Sequence, residues 1–290
     1  MRTSRAGLPA MAEIVAGFGT SHVPAVGAAI DKGRQEDPYW APFFAKVAEF
    51  RDVVADVDPD VCIVVYNDHA CAFSLRLIPT FAIGLADAFP VADEGFGRRP
   101  VPEVVGHPEL AWHIAESLIL DEFDMTLVNE MEVDHGLTVP LSVMFGQPDK
   151  WPARIVPVPV NVVQYPPPTG RRCLALGRAI RRAVESFPGD ERVAVVGTGG
   201  MSHQIHGERA GLINVDWDHR FLDLLVSDPE AAAAIPHLDY VREAGSEAIE
   251  LVMWLVMRGA LDGPVHERFR RTHVPTSNTH NGLLVVEPAT

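Results

Sequence analysis

The sequence predicts an α/β protein, a three-layer α-β-α sandwich around a central mixed or parallel sheet. Two observations carry this. Short, continuous apolar runs such as Val61–Tyr66 and Val193–Val196 end abruptly in polar or glycine-rich turns, as strands buried on both faces do. Between them lie longer stretches with apolar residues at helical spacing, the alternation expected of strands linked by crossover helices. With 290 residues and 47% hydrophobic content the chain has ample material for a sizeable core.

In chain order, Met1–Ala10 has Arg2 and Arg5 but no apolar segment behind them, so residues 1–10 read as a flexible tail rather than a secretion signal, with Met11 an alternative start. Residues 11–290 read as a single domain. Glu13–Phe18 is a β-rich run leading into Gly19-Thr-Ser-His22, and Pro42–Val57 spaces Phe43, Phe44, Val47, Phe50 and Val54 as a helix. Val61–Tyr66 is the clearest buried strand and ends in Asn67-Asp68-His69. Phe89–Pro108, rich in Gly and Pro, is an irregular connection long enough for a functional loop. Leu110–Leu120 reads as a helix and Met125–Asn129 as a strand. Next comes Met131-Glu-Val-Asp-His135-Gly, with His135 in a turn, and a helical stretch from Val139. Ile155–Val163 contains Pro157 and Pro159 and so suits an edge or irregular strand. Arg172–Ser186 is an amphipathic helix leading to Arg192–Val196, whose glycine turn, Gly197 to Gly200, delivers Ser202 and His203. Gly245–Leu261 is an apolar helix, and the chain closes with His273–Asn278, whose Thr276, Ser277 and Asn278 form a polar loop or turn, and a strand, Leu283–Val286.

Three strand-like runs thus finish within a few residues of a histidine: His22, His69 and His203. Parallel neighbouring strands would bring all three imidazoles to one sheet edge, where α/β proteins collect ligands. Glu250 is the only charge between Ala248 and Met257, and a buried carboxylate needs a cation, a metal or a proton; a salt bridge to an arginine is the ordinary alternative. His206, His219, His237 and His266 sit in polar contexts and read as surface residues.

Composition excludes several classes. A net charge of −15 argues against a nucleic-acid partner. No apolar stretch is long enough to span a bilayer, and three cysteines without CxxC spacing disfavour both a disulfide framework and a thiolate zinc site; cytoplasm is the expected location. HExxH, P-loop and nucleophile-elbow signatures are missing from the sequence. Histidines with one carboxylate and open positions suit non-haem Fe(II) oxygenases and zinc hydrolases alike, so spacing alone does not name the metal.

Gly19-Thr-Ser-His-Val-Pro24, Val65-Tyr-Asn-Asp-His-Ala70, Val133-Asp-His-Gly136, Gly197-Thr-Gly-Gly-Met-Ser-His203 and Gly245-Ser-Glu-Ala-Ile-Glu250 together resemble the class III extradiol ring-cleaving dioxygenases, in particular the catalytic β chains acting on protocatechuate. The resemblance implies Fe(II) held by His22, His69 and Glu250, with His203 as the catalytic base. It also implies that His135 lines the substrate pocket, that Ser277 faces the ring carboxylate, and that Asn67 orients ligands beside His69. The implied reaction is cleavage of a carboxylated catechol (protocatechuate, gallate or 3-O-methylgallate) by O2 to a carboxymuconate semialdehyde-type product. A small helical α chain in an α2β2 assembly is the implied partner. A zinc-dependent hydrolase on the same ligands and a non-catalytic binding protein of the same superfamily are the competing expectations.

Overall fold

The structure, a computed structural model, describes residues 10–289. All but Ala10 of the expected N-terminal tail lies outside the described residues; the Ala10 carbonyl accepts the Gly189 N–H at 3.0 Å. In chain order the strands are β1 (Glu13–Thr20), β2 (Val61–Tyr66), β3 (Ala82–Gly84), β4 (Ala88–Phe89), β5 (Val104–Val105), β6 (Thr126–Val128), β7 (Arg154–Pro159), β8 (Arg192–Thr198), β9 (Val265–Thr276) and β10 (Thr279–Pro288). Six of them form one sheet in the order β7-β2-β8-β1-β10-β9. β7, β2, β8 and β1 run parallel, while β10 and β9 are antiparallel additions, so the sheet is mixed.

Alternation along each strand builds the two outer layers. Ile63, Val65, Val193 and Val195 point to one face and pack with the helices Pro108–Leu120, Gly170–Glu185 and Val252–Ala260. Cys62, Val64, Tyr66, Ala194 and Val196 point to the other, against Pro24–Asp31, Ala41–Val57 and His135–Phe145. The helices sit on both faces because parallel strands need crossovers that cover them. Ile63 is fully buried in the middle of this arrangement. Replacing it by alanine is expected to cost about 2–5 kcal/mol in a denaturant melt, with an unchanged denaturant slope.

The expected strands and helices recur with small shifts at their ends, and β7 is an edge strand, consistent with its two prolines. Three readings are corrected. His135 is not a turn residue but the first residue of the helix His135–Phe145, whose N-cap Asp134 accepts the Gly136 N–H at 2.8 Å. The turn expected within Thr276–Asn278 is present, at Ser277 and Asn278 with φ of 51° and 60°, but the final strand is not alone: β9 and β10 form a long hairpin around that turn. Arg268, Arg270 and Arg271 hid β9, because an edge strand carries charges where a central one carries apolar residues; Arg268 pairs with Asp56 and Glu287, and Arg270 with Asp223. The apolar segment around Glu250 begins as a 3-10 turn, Ser246–Leu251, before continuing as the helix Val252–Ala260. Among the described residues no helix is long and apolar enough to cross a membrane.

Candidate active site

β2, β8 and β1 are parallel neighbours, so their carboxyl ends share one edge. His69, His203 and His22 follow those ends, and the 3-10 turn that precedes Val252–Ala260 brings Glu250 to the same place. The approach is close. Gly199 has φ of +124°, and a Cβ there would lie 2.6 Å from Glu250 Cβ, so only glycine lets the turn after β8 pass this carboxylate.

His22 and Glu250 are both buried. Glu250 Oε1 lies 3.3 Å from His22 Nε2, its Oε2 lies 3.8 Å from His203 Nε2, and the Gly200 N–H donates to Oε2 at 2.7 Å. Among the described residues no arginine is its partner; its neighbours are histidines and a backbone N–H. Burial alone would raise the Glu250 carboxyl; the neighbouring His22, then His203 and His69, outweigh it and hold the group well below the usual carboxylate range. Burial pushes the His22 imidazole down, against the pull of Glu250. Glu250 and His22 thus form one coupled buried pair in which the carboxyl favours its ionised form. A lone pair on Nε2 and a carboxylate oxygen at this separation need a proton or a cation between them.

His22 Nδ1 is 3.1 Å from Thr198 Oγ1. His69 Nδ1 is 3.1 Å from Asp134 Oδ2, which also accepts the His69 backbone N–H at 2.5 Å. Desolvation lowers the His69 pKa, but the Asp134 hydrogen bond and charge more than compensate and raise it overall. Asp134, which burial would raise, is held below its ordinary value by the same partner. With Nδ1–H donating to Asp134, Nε2 is the acceptor nitrogen, and Asn67 Nδ2 donates to it at 3.0 Å, a hydrogen bond that a metal on Nε2 would replace. Two imidazoles presenting Nε2, each fixed through Nδ1, together with one ionised carboxylate, fit a borderline divalent metal. The ring nitrogens of His22, His69 and His135 come within 4.8 Å of one another, whereas Glu250 reaches this group through His22.

His203 is held differently. Its Nδ1–H donates to the Met201 carbonyl at 2.7 Å and its backbone N–H to Ala244 O at 2.9 Å, which leaves Nε2 bare on the side of Glu250. That tautomer can accept a proton at Nε2. His135 stacks on His69 with centroids 3.9 Å apart and faces His22 at 5.7 Å. Ser277 lies at the tip of the β9–β10 hairpin, exposed, with its backbone N–H on Tyr39 Oη at 3.1 Å; its side chain is not drawn into the cluster. His206, His219 and His266 are exposed and His237 is half-buried, outside the site.

Several participants escaped the sequence reading. Asp134 and Glu94 are acids in polar stretches with nothing to mark them as partners of His69 and His135. Thr198 ends β8, and the buried Asp218–His280 pair, 2.7 Å apart, anchors Ser202 next to His203. The Asp134 and His135 adjacency before a helix is the one local signal that could have flagged the first of these. Replacing Asp134 by asparagine is expected to weaken divalent-metal affinity about 10- to 100-fold, measured by anaerobic titration, because His69 loses the acceptor that fixes its tautomer.

Comparison with known proteins bears on this geometry. The family described as the catalytic LigB subunit of aromatic ring-opening dioxygenase matches residues 16–282. Gallate dioxygenase of Pseudomonas putida is 46% identical over 195 residues, 67% of this chain and 57% of that protein, so the match spans little more than half its length. A 2,3-dihydroxyphenylpropionate/2,3-dihydroxicinnamic acid 1,2-dioxygenase of Burkholderia vietnamiensis is 31% identical, covering 77% of this chain and 84% of the other. In fold, the chain is similar to an uncharacterized protein of Escherichia coli K12, with a TM-score of 0.57 at 17% identity over 95% of this chain and all of that one.

Proposed function

Because the chain belongs to the family of catalytic LigB subunits of aromatic ring-opening dioxygenases, we propose that it cleaves a carboxylated catechol outside the diol with O2 at an Fe(II) site. Residues 11–290 act as one catalytic unit, and gallate is the first substrate to test, in view of the 46% identity to a gallate dioxygenase. Protocatechuate and 3-O-methylgallate follow. The observation that carries the reading is the meeting of His22, His69 and the ionised Glu250 beside a histidine whose Nε2 is free to take a proton.

His22, His69 and Glu250 would hold the metal. Bound there, Fe(II) supplies a Lewis-acidic anchor for two adjacent phenolic oxygens and a route for electrons to O2. The chain's own groups do the rest. His203 Nε2 takes the proton of a substrate hydroxyl and returns it as the ring opens. Asn67 and Asp134 fix the His69 ring. His135 lines the substrate side, and Ser277, on the hairpin tip, would meet the substrate carboxylate.

A small helical companion chain, assembled as α2β2, is part of the proposal. It is supported by a cluster of exposed apolar side chains, Leu75, Leu77, Ile78 and Val163, around a cavity of about 230 Å³ that begins at Asp68 and Ala70, on either side of His69. Three free cysteines suit the cytoplasm, where we place the enzyme.

The test is anaerobic loading of metal-free protein with Fe(II) or Zn(II), then oxygen uptake with gallate, protocatechuate and 3-O-methylgallate, with the companion chain supplied. Uptake is expected with Fe(II) alone. Its absence with every catechol would sink the dioxygenase reading, and hydrolytic activity with Zn(II) would replace it.

A further inference from the structure

His135 is the first residue of its helix, and its imidazole could rotate about Cβ–Cγ to present either nitrogen to the site. It is not free to do so. One carboxylate, Glu94, grips it twice: Oε2 lies 2.5 Å from His135 Nδ1, and Oε1 accepts the His135 backbone N–H at 2.9 Å. Two oxygens of one side chain on two N–H groups of one residue fix both the ring's orientation and its tautomer. Nδ1 carries the proton, and Nε2 keeps its lone pair.

The consequence is felt at the metal-candidate donors. Held in this way, the His135 ring stacks on His69 at 3.9 Å and 29°, and the pair forms two parallel dyads, Asp134 with His69 and Glu94 with His135. Glu94 stands on a loop that is itself pinned. Asp93 Oδ1 accepts the N–H groups of Gly95 and Gly97 at 2.9 Å, Arg98 pairs with Glu132 at 2.7 Å, and Arg99 grips Asp31 with two hydrogen bonds of 2.9 and 2.8 Å. Between the two glycines, Phe96 projects into solvent, 98% exposed. Glu94, Phe96, Arg98 and His135 line one cavity of about 630 Å³. The loop therefore forms a wall of the approach to the site and also carries the group that sets the His135 ring.

We propose that Glu94 is a positioning residue for ring cleavage, acting through His135: it holds the Nδ1–H tautomer so that Nε2 faces the bound aromatic diol. The inference rests on the dioxygenase reading above for its kinetic consequence, but not for its structural one.

The experiment compares Glu94→Ala and Glu94→Gln with the wild type, alone and combined with His135→Ala. Glu94 is on a half-exposed loop, so both variants are expected to fold, checked by an unchanged melting temperature. Alanine removes both acceptors and is expected to lower kcat/KM about 10- to 100-fold, while divalent-metal affinity stays within about twofold. Glutamine keeps one acceptor oxygen for two N–H groups and turns an amide N–H towards the other, so it is expected to fall between alanine and the wild type. In the His135→Ala background, Glu94→Ala is expected to change kcat/KM by less than about twofold, since the residue it acts through is gone.

A second readout needs no turnover. Nitrogen-15 imidazole spectra of metal-free protein, with the His135 signal assigned by its loss in His135→Ala, are expected to show Nδ1–H in the wild type and a mixed tautomer in Glu94→Ala. An unchanged tautomer, wild-type kcat/KM in Glu94→Ala, or losses that add in full in the double variant would each overturn the proposal. If the wild type itself cleaves no catechol, the dioxygenase reading fails, and the tautomer measurement decides the positioning role alone.

Discussion

Glu250→Gln is expected to abolish ring cleavage by removing the metal. The side chain is buried, and among the described residues its neighbours are His22, His203 and the Gly200 N–H, with no arginine beside it. Glutamine keeps the volume and can still accept from Gly200, so the fold should survive with a melting temperature close to that of the wild type. What is lost is the one anionic donor beside His22. Removing one charged partner from a buried pair costs about 3–5 kcal/mol, and at 1.4 kcal/mol per decade the expected loss of divalent affinity is roughly 10²- to 10⁴-fold. Anaerobic titration with Fe(II) reads this directly. Wild-type affinity in Glu250→Gln would show that the metal is held elsewhere, for example by the three imidazoles of His22, His69 and His135, whose nitrogens also converge.

His203→Phe is expected to do the reverse: keep the metal and lose turnover. His203 Nε2 is 3.8 Å from Glu250 Oε2, and its Nδ1 is occupied by the Met201 carbonyl, so the ring is set up to move a proton. Losing a general base costs about 10²- to 10⁴-fold in kcat. The phenyl ring leaves the Met201 carbonyl without its partner at a cost of about 1–3 kcal/mol, so His203→Gln, which can donate there, serves as the control for stability. Both variants should bind Fe(II) as the wild type does, whereas His69→Ala should not. If His203→Phe instead loses the metal, the roles of base and ligand are exchanged.

Much of this site was legible in the chain because each central strand is short, uniformly apolar and stops at a histidine-bearing turn. Runs such as Val61–Tyr66 can hardly be anything but buried strands, and their parallel pairing brings their ends together without further instruction. Glu250 stood out because a lone charge in an apolar segment demands a partner. Asp134 and Glu94 did not stand out. An acid flanked by other polar residues looks like solvated surface until the fold shows what it faces, and their significance lies in contacts with backbone and ring nitrogens that no periodicity records. β9 was hidden for a related reason: its arginines satisfy ion pairs across an exposed edge, which breaks the apolar alternation by which strands are read.

The place of the C-terminal hairpin in the sheet has a bearing on how the protein matures. β1, which leads to His22, lies between β8 and β10, and His203 is bridged to Thr279 at the start of β10. Every residue of the candidate site but Ser277 lies well before β10 in the chain, yet one candidate donor, His22, and the candidate base, His203, stand on segments that β10 completes. Such long-range pairing is slow to form and comes late in folding. During synthesis the emerging chain therefore carries its histidines for some time before β10 is available to complete the sheet around them. Convergence of these residues is thereby expected to wait on docking of the last strand, which refolding kinetics followed at the C-terminal hairpin would read.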